Sequence, residues 1–235
     1  MPLHHRPILV TLAAAVLLSS CSAGPDPETA VRQQMLTHFD LAEELRDHAI
    51  AGDLTRFRAT ARALAERELA TDLPPDIFLQ VGPLRHEAEL ASNARTVDAA
   101  ARAAAEVART CGDCHEANGV ALPPAVPGPA VGPTTAQADL QTHMERLSRV
   151  TSRLWAGLAA PNASDWEAGS ADLIALGGLP AGLEGLVAAD EINFAARRLR
   201  RLAEEARAAT EPRYRVRALG EIWGTCADCH QQFGS

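Results

Sequence analysis

Cys111, Cys114 and His115 stand in the run CGDCH, and Cys226, Cys229 and His230 stand in CADCH, so one chain carries Cys-x-x-Cys-His twice, each time closing a helical segment. No other feature constrains the fold as strongly. On a helix these residues fall at i, i+3 and i+4 and share one face. Both sulfurs and an imidazole are thereby offered to the same flat ligand. This pentapeptide is the attachment sequence of c-type haem: the cysteines form thioethers with the porphyrin, and the adjacent histidine takes an axial position on iron. Two covalently bound haems c are expected, held by Cys111, Cys114, Cys226 and Cys229, with His115 and His230 as proximal ligands. Cys-x-x-Cys alone is also compatible with a redox disulfide or half a zinc site. The second copy, the histidine in both copies and the absence of a βαβ context weigh toward haem.

The fifth cysteine bears on location. His4, His5 and Arg6 precede an apolar run from Pro7 to Leu18, and Leu18-Ser19-Ser20-Cys21 follows. This reads as a targeting segment, too short for a comfortable transmembrane helix. It resembles a bacterial lipoprotein signal, which implies removal of residues 1–20 and lipidation of Cys21. Ordinary cleavage nearby, or retention as an anchor, is the alternative. Ser22 after the cysteine points to the outer rather than the inner membrane. An exported, periplasmic, lipid-anchored protein is expected, and export agrees with c-type haem attachment.

All 22 basic residues are arginines, and the net charge is −8. That balance argues against nucleic acid as a partner. A redox partner protein with a basic docking surface fits it better, although acidity also serves solubility alone.

Residues 117–134 read ANGVALPPAVPGPAVGPT, without a charge and with too many prolines for a helix. A linker is placed at 119–133, between domains at 25–118 and 134–235. The two domains read as copies. Their haem motifs are offset by 115 residues and their Thr-His pairs, Thr37-His38 and Thr142-His143, by 105. Each copy reads as four helices with no convincing strand. The first set is expected near 28–51, 53–71, 83–93 and 96–117. The second is expected near 135–159, 165–176, 183–209 and 212–232. Ser164-Asp165-Trp166-Glu167 reads as a capping box, Thr96 as an N-cap, Pro212 as a first-turn proline, and Gly119 and Gly177 as stops. The fold class is all-α.

The motif at the C-terminal helix of each unit, the four-helix pattern and Met35-Leu36-Thr37-His38-Phe39 in helix 1 resemble the cytochrome c-prime group over essentially the whole mature chain. The resemblance implies two tandem antiparallel four-helix bundles, each gripping one haem, and a capacity to form homodimers. Duplication in a lipoprotein departs from the usual single-domain form.

Helix 1 is expected to face the haem side opposite the proximal histidine. Val31, Met35, His38, Ala42, Leu45 and Ala49 form an apolar stripe broken only by the histidine, and Ala136, Leu140, His143, Leu147, Val150 and Leu154 repeat its spacing. His38 and His143 are the candidate distal iron ligands. The alternatives are Met35 or Met144, an open position as is common in the resembled group, or histidines satisfied by a carbonyl, propionate or water.

Trp155, Trp166 and Phe57 read as core, and Trp223 as packing beside the haem edge. His48 and His86 read as surface or cap residues. Arg197, Arg198, Arg200 and Arg201 read as a solvated face, with propionate neutralisation as the alternative. The expected function is a dihaem, membrane-tethered electron carrier and not an enzyme, with no catalytic residues assigned. A nitric oxide or carbon monoxide binding protein with open distal sites is the alternative, and a dihaem peroxidase a third.

Overall fold

The computed structural model describes residues 26–69, 73–120, 140–176 and 189–233. Among them all regular structure is helical: α1 Pro27–Ala51, α2 Leu54–Glu66, α3 Pro75–Ser92, α4 Val97–Ala117, α5 Leu140–Ala159, α6 Ala163–Leu176, α7 Ala189–Ala208 and α8 Pro212–Phe233. None of these is long and apolar enough to cross a membrane. The leader, Cys21, Gly177 and nearly all of the linker at 119–133 lie outside the described residues.

Local chemistry sets several helix ends. The Asp26 carboxylate accepts the Thr29 N–H at 3.0 Å, and Pro27 opens α1 where its missing N–H is harmless. At the other end Gly52 turns left-handed, with φ of 69°, and its N–H returns to the last turn. Asp53 then caps α2 by accepting the Arg56 N–H at 3.0 Å. Thr96 caps α4 as expected, taking the Ala99 N–H at 3.2 Å. Gly119, with φ of 61°, follows the end of α4, and Pro212 opens α8.

Three expectations need correction. The cap of α6 is Asn162, not Ser164: its side-chain oxygen accepts the Ser164 N–H at 3.1 Å and the Ser164 hydroxyl at 2.7 Å. α2 ends at Glu66 rather than running to 71. α3 begins at Pro75, well before the expected 83, and carries Pro83 in its interior. Gly82-Pro83 therefore interrupts the hydrogen-bond ladder without ending the helix, while Pro74-Pro75 supplies the start.

Packing follows chain order. α1 to α4 contact one another in sequence and α1 closes back on α4; α5 to α8 do the same, with α5 closing on α8. The halves then join through α4 against α8, flanked by α1 against α8 and α4 against α5. The buried apolar side chains of both halves form one cluster. The α4–α8 seam rests on small residues. Ala100, Ala101, Ala104, Ala105 and Ala108 of α4 are all but fully buried, and α8 approaches α4 through glycines. A Cβ at Gly220 would stand 3.0 Å from the Arg102 Cα, and one at Gly224 would stand 2.7 Å from an Asp98 carboxylate oxygen. Larger residues would hold the helix axes apart. The helices that carry the two Cys-x-x-Cys-His motifs are thus packed against each other.

Candidate functional site

α8 carries Cys226, Cys229 and His230 in its C-terminal part, and α5 carries His143 in its first turn. All four line a cavity of about 510 Å3. Its apolar wall comes from Leu147 of α5, Leu173 and Leu176 of α6, and Ile192 and Leu199 of α7. The size and the mostly apolar wall with a few convergent polar groups suit a bound organic group. His143 is 7% exposed, and its Nδ1 is buried without a hydrogen-bond partner. Such an atom normally finds a partner. Burial, with Arg146 adding to it, holds this imidazole below its ordinary pKa, so the ring stays neutral with a lone pair to offer. Met144 also lines the cavity. The end of α1 reaches it too, through Arg46, Asp47, Ile50 and Ala51.

The corresponding residues of the first half are Cys111, Cys114 and His115 on α4 and His38 on α1, two helices in contact. His38 is 5% exposed and its Nδ1 again lacks a partner. Its Nε2 accepts from the Gln34 side-chain amide, one turn earlier, at 3.0 Å, which leaves the ring proton on Nδ1. Burial is the main cause of its lowered pKa, with Arg67 and Arg85 adding to it. From α3, the Gln80 carbonyl oxygen accepts the Cys114 thiol at 3.6 Å and the Asn118 amide as well. The proximal candidate His115 donates through Nδ1 to the Ala159 carbonyl at 2.8 Å. Its Nε2 remains as the acceptor.

The four motif cysteines are free thiols. Burial pushes Cys111 and Cys226 up to about 12, the neighbouring cysteine of each pair adding to it. Cys114 and Cys229 are raised as well, again mainly by burial. A redox-active Cys-x-x-Cys has the opposite electrostatics, with a stabilised thiolate. Among the described residues no three or more His, Cys, Asp or Glu side chains converge as a cage for a metal ion.

The two sites share more than the sequence reading used. Thr110 and Thr225 each precede the first motif cysteine, are buried, and donate to the carbonyl four residues back, at 2.9 Å and 2.8 Å. Asp113 pairs with Arg109 in one motif, and Asp228 pairs with Arg198 at 3.6 Å in the other. The repeat is therefore Thr-Cys-x-Asp-Cys-His, and comparison of the two runs letter by letter would have found it. Gln34, Gln80 and the Ala159 carbonyl were missed because nothing in their spacing marks them.

Other candidates fall as follows. Trp166, Trp223 and Phe57 are fully buried and Trp155 nearly so; the Trp155 and Trp223 rings lie 5.7 Å apart and tilted by 39°. Arg200 and Arg201 pair along the exposed face of α7 with Glu204 and Glu205. Arg197 is exposed on the same helix, and Arg198 turns toward α8. His86 is exposed and His48 lies in the last turn of α1. Met35 is half-buried on α1. No family model matches the chain, and neither a curated protein nor a solved structure matches it.

Proposed function

We propose that the protein is a dihaem c-type cytochrome of the cytochrome c-prime type, duplicated as two tandem four-helix bundles, exported, lipid-anchored through Cys21, and acting as an electron carrier in the cell envelope. The observation that carries this reading is the cavity of about 510 Å3 bounded by Cys226, Cys229 and His230 on α8 and by the buried His143 on α5. The residues present fit haem c. Two thiols and an imidazole stand on one helix face, an apolar wall accommodates a porphyrin, and a neutral histidine with an orphaned ring nitrogen lies on another helix of the same cavity.

When bound, each haem would supply an iron that alternates between ferric and ferrous states. The chain's own residues hold and shield it. Cys111 with Cys114 and Cys226 with Cys229 would anchor the rings, and His115 and His230 would ligate on the proximal side. His38 and His143 are the distal candidates, each kept neutral by burial. The apolar side chains exclude water, which sets the potential together with the axial ligands. Electrons would pass to a redox partner whose basic surface complements a chain of net charge −8. No proton transfer or bond making is asked of any residue, so the reading is not an enzymatic one.

One observation favours a second reading in the first half. The Gln34 amide occupies His38 Nε2, and ligation through that nitrogen requires Gln34 to let go. A site that keeps this bond leaves the distal position to nitric oxide or carbon monoxide. Absorption spectra of the purified protein, oxidised, reduced and with carbon monoxide, decide the matter. Two covalent haems, with low-spin iron lost at one of them in His143→Ala, are expected. High-spin ferric iron at both haems with rapid carbon monoxide binding would overturn electron carriage in favour of gas binding.

A further inference from the structure

The hydrogen bond on His115 comes from the other half of the chain. Ala159 is the last residue of α5, so its carbonyl is one of those a helix leaves unsatisfied, at the end that carries partial negative charge. His115 Nδ1 fills that need at 2.8 Å. The approach is close because Gly112, between the motif cysteines, has no side chain: a Cβ there would overlap the Leu158 carbonyl oxygen. The end of α5 thus rests on the CGDCH turn through two successive carbonyls.

The second motif meets the end of α1 in the corresponding way, but with a different bond. The Gln231 amide donates to the Gly52 carbonyl at 3.2 Å, and a Cβ at Gly52 would stand 3.1 Å from the Ala227 carbonyl oxygen. Ala227 takes the place of Gly112, and the histidine is not the donor. Among the described residues His230 makes no hydrogen bond matching that of His115.

We propose that the C-terminal turn of α5 is a positioning element for the first haem, acting through His115, and that it makes the two haems unequal. The reasoning rests on the dihaem reading above. A ring N–H that donates to a carbonyl fixes the orientation of the imidazole and raises the basicity of its other nitrogen. A more basic axial ligand favours ferric over ferrous iron. The first haem is therefore the harder to reduce, and its potential is set partly by a helix of the opposite half. The whole net worth of such a bond corresponds to about tenfold in a one-electron partition, and the shift toward the second haem lies within that bound.

Two measurements on the full-length haem-loaded protein test this. In the reduced protein, nitrogen-resolved NMR is expected to show a slowly exchanging Nδ1–H for His115, identified by its proximity to Leu158 protons, and fast exchange for His230. A redox titration followed by absorbance is expected to resolve two haems, and Gly112→Ala, which drives the Leu158 carbonyl off the turn, to bring their potentials together. Equal exchange at the two histidines, or an unchanged partition in folded Gly112→Ala, would overturn the inference while leaving two haems in place. If Gly112→Ala fails to fold, the exchange measurement on the unaltered protein still decides. Fewer than two covalent haems would instead overturn the cytochrome reading, and this inference with it.

Discussion

His38 and His143 are imidazoles that the fold takes almost wholly out of water. Each is buried with an unpartnered Nδ1, and each has its pKa lowered by burial above all. In the unfolded chain both return to about 6.5, so the unfolded state binds protons that the folded state refuses. Stability contributed this way is present above about pH 6.5 and is lost as pH falls toward the folded values. Urea unfolding of the full-length protein at successive pH values should show a midpoint that declines below about pH 6.5. His143→Gln should flatten the decline by up to one proton's worth of slope. A midpoint independent of pH between about 7.5 and 5 would mean that neither ring is kept neutral by the fold. Both positions were legible in the sequence, because a single polar letter interrupts two apolar stripes of matched spacing. Their neighbours were not: Gln34 is one of many polar residues on α1, and the Ala159 carbonyl belongs to the backbone, which has no letter.

Among the helices, α4 and α8 do most to set the geometry of the sites, and the residues that matter there are the small ones. Gly224 faces Asp98 and Gly220 faces Arg102 across the seam. Gly220→Val forces its branches onto the α4 backbone, and overpacking of this kind destabilises by about 1–3 kcal/mol. Thermal or urea unfolding should register that loss, and equal stability would mean that the seam is looser than its distances imply. Gly82 provides the opposite case. It lies inside α3, with φ in the ordinary negative range, and a Cβ there would meet nothing within 4 Å. Gly82→Ala should stabilise by about 0.5–1 kcal/mol by removing the entropy cost of glycine in a helix. No gain in the unfolding midpoint would show that this turn needs glycine beside Pro83. The same dipeptide explains why α3 starts earlier than its sequence predicts: Gly-Pro reads as a break, yet the helix carries on through it. Where a cap side chain or a first-turn proline marks an end, as at Thr96 and Pro212, the expected boundary holds to within a residue.

At the scale of the whole molecule the two halves of the chain are not beads on a string. Their buried side chains form one cluster, and each Cys-x-x-Cys-His turn is braced by the end of the first helix of the other half, α5 on CGDCH and α1 on CADCH. A repeat of 115 residues was visible from the motifs alone, but the pairing of the repeats was not. Alanine at 100, 101, 104, 105 and 108 reports helix propensity as readily as it reports close packing on several sides of α4, and only the neighbouring helices tell the two apart. The consequence is testable by cutting the chain. A protease site placed between residues 120 and 140 severs the connection without touching a described helix. If the halves owed their association to the connecting segment, cleavage would release two smaller species. The faces that α4 and α8 bury against each other would then be opened to water, at about 25 cal/mol for each Å2 of apolar surface uncovered. Cleaved protein should therefore elute from a sizing column as one species with the unfolding midpoint little changed, and should unfold in a single transition. Two peaks, or two separate transitions, would show that the halves are independent domains and that the bracing of each motif by the other half is not what holds its turn.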